Sequence, residues 1–212
     1  MPDHIIVMGD VVGSRVLDGQ EMIGDFKRLI SSCNEELSSC LLSPYTITLG
    51  DEFQGIAKSL CCSVQSLFYL EESILKLRIP FRLRYVVHRG EIVTPLNPEI
   101  AYEMVGPGLA RAREILTDKR QRRPRFVFDL PDETLSADLN RLFAVIESLV
   151  QDWHEKDFGL VADLISNAND SEVAASHHKN RSQIWKRRRN LRIGDYEALK
   201  QVCLDLSMRG LG

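Results

Sequence analysis

No apolar run in these 212 residues approaches the roughly 20 needed to cross a bilayer, so a membrane-spanning protein is not expected. Met1-Pro2-Asp3-His4 leads straight into the strand-like residues 5–8. No basic region or small-residue cleavage site precedes them, so no signal peptide is expected and the cytoplasm is the expected compartment. Cysteine is scarce and odd in number. Cys33, Cys40, Cys61, Cys62 and Cys203 form no C-x-x-C pair, which argues against a disulfide framework and reads them as buried small apolar side chains. The histidines His4, His88 and His154 stand alone, and His177-His178 have no zinc spacing around them. There is no Walker loop and no G-x-S-x-G elbow, which argues against P-loop and α/β-hydrolase chemistry.

Composition is that of an ordinary folded chain, with 44% hydrophobic and 27% charged residues and length enough to bury a core without staples. The formal charge of -3 hides an asymmetry. From Ser171 onward nine Lys/Arg face four acids, a local +5, which leaves -8 for residues 1–170. A basic segment on an acidic body points to separate jobs, with DNA as the expected partner of the basic part, a solvated basic helix being the plainer reading.

Two motifs organise the rest. Met8-Gly9-Asp10-Val11-Val12-Gly13-Ser14 and Leu49-Gly50-Asp51-Glu52-Phe53 each place a carboxylate just after a Gly at the end of a β-type apolar run. Asp10 and Asp51 would suffice for Mg²⁺, which takes one or two protein carboxylates and completes its shell with water and phosphate oxygens. Gly-Asp is equally an ordinary hairpin turn.

Along the chain, residues 5–8 and 11–12 form a near-continuous apolar run, which suits a central strand covered on both faces. Three- and four-residue apolar spacing predicts a helix or helix pair over 20–42, stopped at Ser43-Pro44. A hairpin is expected over 45–57, a helix over 60–75, a strand over 81–88, and a Gly106-Pro107 entry into a short helix able to receive an anion or simply to pack. Lys119, Arg120, Arg122, Arg123 and Arg125 read as a solvated loop before the strand at 126–128. After Pro131, Leu139, Leu142, Phe143, Ile146, Leu149, Val150 and Trp153 predict one amphipathic helix over 136–156, which would bridge modules or pair two copies in a homodimer. A helix to Ile165 follows, then two short helices over 171–180 and 181–190 joined by a tight turn, and a last helix over 195–206.

This order predicts an α+β fold, a βααββαβ ferredoxin-like palm with an antiparallel sheet and helices on one face, followed by an all-α helix-turn-helix module. The expected domains are residues 1–131, a connecting helix over 132–156, and the helical module over 157–212. The palm resembles class III nucleotidyl cyclases and GGDEF diguanylate cyclases, with the Asp10 and Asp51 motifs similar to the two cyclase metal motifs. The Gly50-Asp51-Glu52-Phe53-Gln54-Gly55 run and the Gly106-Pro107…Ala110-Arg111-Ala112-Arg113 segment resemble the bacterial SatD family more closely still. The resemblance implies Asp10 and Asp51 as Mg²⁺ ligands and Gly13, Ser14, Gly50, Glu52, Gly106, Arg111 and Arg113 around a nucleotide.

It also implies a C-terminal helix-turn-helix, and in the basic helix pair Arg181, Ser182 and Gln183, at the start of the second helix, are expected to reach base edges while Lys186 and Arg187, with Arg188 and Arg189, meet phosphates. Four successive helical positions sweep most of a turn, so only two of those four cations are expected to face DNA. Where cyclases carry an Asn and an Arg that steady ribose and phosphate, Ala110 and Glu114 stand here. A cyclase would then lack a charge-stabilising group unless Arg111 or Arg113 replaced it. Two functions follow: a DNA-binding regulator whose palm scaffolds or senses a nucleotide with Mg²⁺, and, as the alternative, a metal-dependent nucleotidyl cyclase or transferase.

Overall fold

The computed structural model describes residues 3–14, 19–118 and 124–209. Its elements in chain order are β1 (Asp3–Val11), α1 (Gly19–Glu36), β2 (Leu41–Ile47), β3 (Glu52–Ala57), α2 (Leu60–Leu77), β4 (Leu83–Glu91), α3 (Pro107–Thr117), β5 (Phe126–Asp129), α4 (Glu133–Gln151), α5 (Phe158–Ser166), α6 (Asp170–Ser176), α7 (Arg181–Asn190) and α8 (Ile193–Arg209). The strands form one sheet in the order β2-β3-β1-β4-β5.

β1 holds the centre because its apolar run buries residues on both faces, and it pairs antiparallel with β3 and β4. Two expectations need correction. The sheet is not wholly antiparallel, since β5 runs parallel to β4. Nor do the helices share one face. Val7, Phe53, Leu83 and Tyr85 face α1 and α2, whereas Ile6, Met8, Ile56 and Val86 are covered by Leu109, Ala112 and Leu116 of α3 and by Ile92 and Met104 of the preceding loop. Alternation along each strand forces this outcome, because a central strand with no polar face must be covered twice.

Between β1 and β2 lies one helix followed by a 3-10 turn at Ser38–Cys40, not a helix running to residue 42. Pro44 sits inside β2 and does not end a helix there. β2 is an edge strand with register shifts on both sides of Ser43, a place where a missing N–H is tolerated. Asn34 of α1 covers this strand at Tyr45, donating to its carbonyl and accepting from its N–H, both at 2.8 Å.

The C-terminal helices belong to the same core. Phe143 of α4 stacks on Phe68 of α2 at 5.3 Å between ring centroids, and Tyr196 of α8 meets Phe68 edge-on. Leu149 and Trp153 are buried, and the Trp153 indole donates to the Leu191 carbonyl at 2.9 Å. The segments drawn at residues 131 and 156 thus meet in one continuous cluster over α2.

Arg125 is not a solvated loop cation. Its guanidinium is buried against Glu71, with Nη2 donating to Glu71 at 2.8 Å and Nε 3.3 Å from Glu147, while Tyr85 donates to Glu71. Lys119, Arg120, Arg122 and Arg123 lie outside the described residues. No helix is long and apolar enough to cross a membrane among the described residues.

Candidate functional site

At one end of the sheet the register sets Asp10 opposite Glu52 on β3 and opposite Arg84 on β4. Directly paired residues point to the same face, so these three side chains emerge together on the α3 side. Arg84 closes an ion pair with the Asp10 carboxylate. Gly50, at φ +83°, takes the left-handed turn that a side chain would resist, and the Val11 N–H donates to the Asp51 carbonyl at 2.9 Å. The hairpin tip is thereby held beside β1. Ser14, just past the turn at Gly13, donates to the Asp51 carboxylate at 2.6 Å.

From α3, Arg113 reaches Glu52 and Gln54, each at 3.3 Å. Burial raises the Glu52 carboxyl above the usual range; Arg113 opposes that shift, and the neighbouring Asp51 and Asp10 charges add to it. Beside Arg113 opens a pocket of about 350 Å³, walled by Met8, Leu109 and Val105 with Gly106 and Ala110 at its edge. The entry to α3 presses on β4: a Cβ on Gly106 would sit 2.4 Å from the Glu91 carbonyl oxygen, and one on Gly108 2.7 Å from the Gly90 carbonyl carbon. Close packing accounts for both glycines.

Asp10, Asp51, Glu52, Gly13, Ser14, Gly50 and Arg113 are therefore gathered, with Gly106 on the same side. Arg111 is not. It points away to Glu114 at 2.8 Å and Asp129 at 3.4 Å. Arg84 was missed in the sequence, although period-two alternation from Arg82 to Val86 carried the signal for a charged residue on a sheet face. Its guanidinium already compensates the Asp10 charge, and Ser14 occupies an oxygen of Asp51. Among the described residues no three His, Cys, Asp or Glu side chains gather as a metal-binding set. Arg84 engages one oxygen of Asp10 and Ser14 one oxygen of Asp51, so a cation held by these two carboxylates would sit beside the Arg84 guanidinium.

A second candidate lies at the other end of the chain. α6 and α7 are joined by four residues, and Val173, Ala174 and Ile184 anchor the pair inward. In the turn His178 takes φ +51°, while His177 bonds Asp163 at 2.7 Å. Asn180 caps α7, and the Gln183 side chain accepts from the Asn180 N–H at 3.1 Å, closing a capping box. Ser182 donates to the same Asn180 side chain. The two polar residues expected at base edges are thus engaged in the cap, and Arg181 stays exposed.

The four cations divide as helical geometry requires. Arg188 is turned inward onto Asp170 and onto the Leu164 and Asn167 carbonyls, and Arg187 sideways onto Asp157 at 2.5 Å. Lys186 and Arg189 face outward, the latter 4.9 Å over the ring of Trp185, which is 49% exposed.

Among solved structures, a bacterial light-regulated adenylyl cyclase is similar at 11% identity and a TM-score of 0.42, over 60% of this chain and 75% of that one. The guanylate cyclase domain of RhGC from Catenaria anguillulae in complex with GTP is similar at 10% identity and 0.36, over 60% and 78%. The guanylyl cyclase Cya2 is similar at 11% and 0.32, over 54% and 68%. No curated protein matches the sequence. A family model for the SatD family matches residues 4–192, and the chain belongs to that family.

Proposed function

We propose that the chain is a DNA-binding regulatory protein that docks duplex DNA on α7, with the palm-like sheet as its scaffold. One observation carries this reading: α7 uses its inner arginines for packing and turns Arg181, Trp185, Lys186 and Arg189 together to solvent. A helix seated by short helices behind it, with outer cations that pair with no carboxylate among the described residues, suits the phosphates that flank a major groove. Arg181, at the first turn, is the residue left to reach a base edge. The engaged side chains of Ser182, Gln183, Arg187 and Arg188 hold the helix in place. The test is fluorescence anisotropy of a labelled 30-base-pair duplex at low salt with the full chain. Wild type binds and Lys186→Ala/Arg189→Ala binds more weakly; equal binding by the two, or none by wild type, removes the reading.

A second reading keeps the alternative function, Mg²⁺-dependent nucleotide binding at Asp10 and Asp51. It is supported by the convergence of Asp10, Asp51 and Glu52 at one sheet end beside the pocket at Arg113. It places the cation beside the Arg84 guanidinium that pairs with Asp10, and the residues at Ala110 and Glu114 offer no replacement for the ribose and phosphate contacts of a cyclase. Calorimetry with Mg²⁺ and a panel of nucleoside triphosphates decides it. Heat in wild type that Asp51→Asn abolishes supports nucleotide binding, and absence of heat in wild type eliminates it.

A further inference from the structure

At the opposite end of the sheet from Asp10 lies a larger cavity of about 610 Å³, within the range of small-molecule pockets. It is bounded by the start of β1, the β3–α2 turn, the end of β4, the start of α4 and the last turn of α8. One part of its wall is apolar, from Ile5, Leu60 and Leu135. The rest carries three cations from three separate elements: Lys58 in the turn, Arg89 on β4 and Arg209 on α8.

These cations differ from the arginines elsewhere on the sheet and α3. Arg84, Arg111, Arg113 and Arg125 each pair with a carboxylate. Lys58, Arg89 and Arg209 have no carboxylate within ion-pair distance among the described residues, and their side chains make no hydrogen bond there. Two acids also reach the cavity. Asp132 is engaged as the cap of α4, accepting from the Leu135 N–H at 3.0 Å, and Asp3 is exposed at the start of β1. The cavity is left with an excess of positive charge next to an apolar wall.

We infer that this cavity binds a small amphipathic anion, a phosphate, sulfonate or carboxylate head on an apolar or aromatic body. The head meets Lys58 and Arg89, and the body covers Ile5, Leu60 and Leu135. Arg209 brings α8 to the same ligand, so occupancy ties the last helix to the sheet. This site is independent of both α7 and the Asp10 cluster.

The probe is 8-anilinonaphthalene-1-sulfonate, titrated by fluorescence into the folded full chain, with neutral N-phenyl-1-naphthylamine as the comparison. The expected result is saturable one-to-one binding of the sulfonate that raises the unfolding temperature. Arg89→Gln and Lys58→Gln should each weaken it by about fivefold or more. Lys27→Gln, an exposed change on α1, should leave it unaltered. Both cavity positions are exposed and unpaired, so these variants keep the wild-type circular dichroism. No saturable binding, equal affinity in Arg89→Gln and Lys58→Gln, or equal binding of the neutral amine overturns the inference.

Discussion

Removing the Arg188 side chain tests whether the basic run in α7 divides as described. Its side chain is 18% exposed, and the guanidinium donates to Asp170 at 2.8 Å and to the Leu164 and Asn167 carbonyls at 2.7 Å each. Those carbonyls belong to the last turn of α5 and the residue after it, where helical acceptors lack partners and a cation also meets the negative end of the dipole. A hydrogen bond to a charged group contributes about 1.5–3 kcal/mol alone, but three on one side chain do not add, because water reaches part of the vacated site. Arg188→Ala should therefore cost about 3 kcal/mol, which for a chain of this length lowers the unfolding temperature by roughly 6–12 °C. Arg188→Lys should recover less than half, since an ammonium cannot fork to three acceptors. Lys186→Ala, on the outer side, should stay within about 0.5 kcal/mol. Thermal and urea unfolding followed by circular dichroism measure all three, with an unchanged urea slope as the check that the denatured state is the same. If Arg188→Ala is no more destabilised than Lys186→Ala, the inward arginine is not the clamp that seats α7.

Leu149→Asp should abolish folding, because Leu149 is 2% exposed in the core shared by α4 and α8; native circular dichroism in the variant would contradict that. Glu71→Gln should cost about 3 kcal/mol in urea unfolding, since it strips the buried Arg125 of its main counter-charge. Glu52 holds its proton above the ordinary glutamate range, so the native state binds more protons than the unfolded chain in the window just above about pH 4.3. Stability contributed at this position falls as pH rises through that window, and Glu52→Gln should flatten the pH dependence of the urea midpoint there; an unaltered profile refutes it. Burial pushes the Cys33 and Cys203 thiols up to about 12, so iodoacetamide at neutral pH should leave both unmodified in the native protein, as peptide mapping would show.

Much of the palm was legible because its elements are punctuated chemically. The apolar run in β1, the Gly50 turn and the Gly106-Pro107 helix entry each have a local cause, and local causes are visible in one sequence. Tertiary causes were not. Pro44 reads as a stop until β2 is known to be an edge strand, and the second covered face becomes apparent only when Met8, Ile56 and Val86 are seen side by side. Cys33 and Cys203 are buried as expected, whereas Cys40, Cys61 and Cys62 are only half-buried.

At the candidate sites the same division holds. Asp10 and Asp51 could be singled out from Gly-Asp spacing, but Arg84 lies 74 residues from its partner Asp10, and nothing local announces that pairing. In α7, helical geometry foretold that some cations must turn inward. Which ones depended on Asp157 and Asp170, acids on other elements that sequence spacing alone does not bring near.

The salt dependence of DNA binding tests the central claim most directly. Lys186 and Arg189 on phosphates would give a log-log slope of about -1.8 for duplex DNA, and Lys186→Ala/Arg189→Ala should flatten it to near zero. Arg187→Ala, which loses its pairing with Asp157, should leave the slope unchanged. A wild-type slope near zero, or one that the double variant does not alter, would contradict the assignment of α7 as the DNA-docking helix.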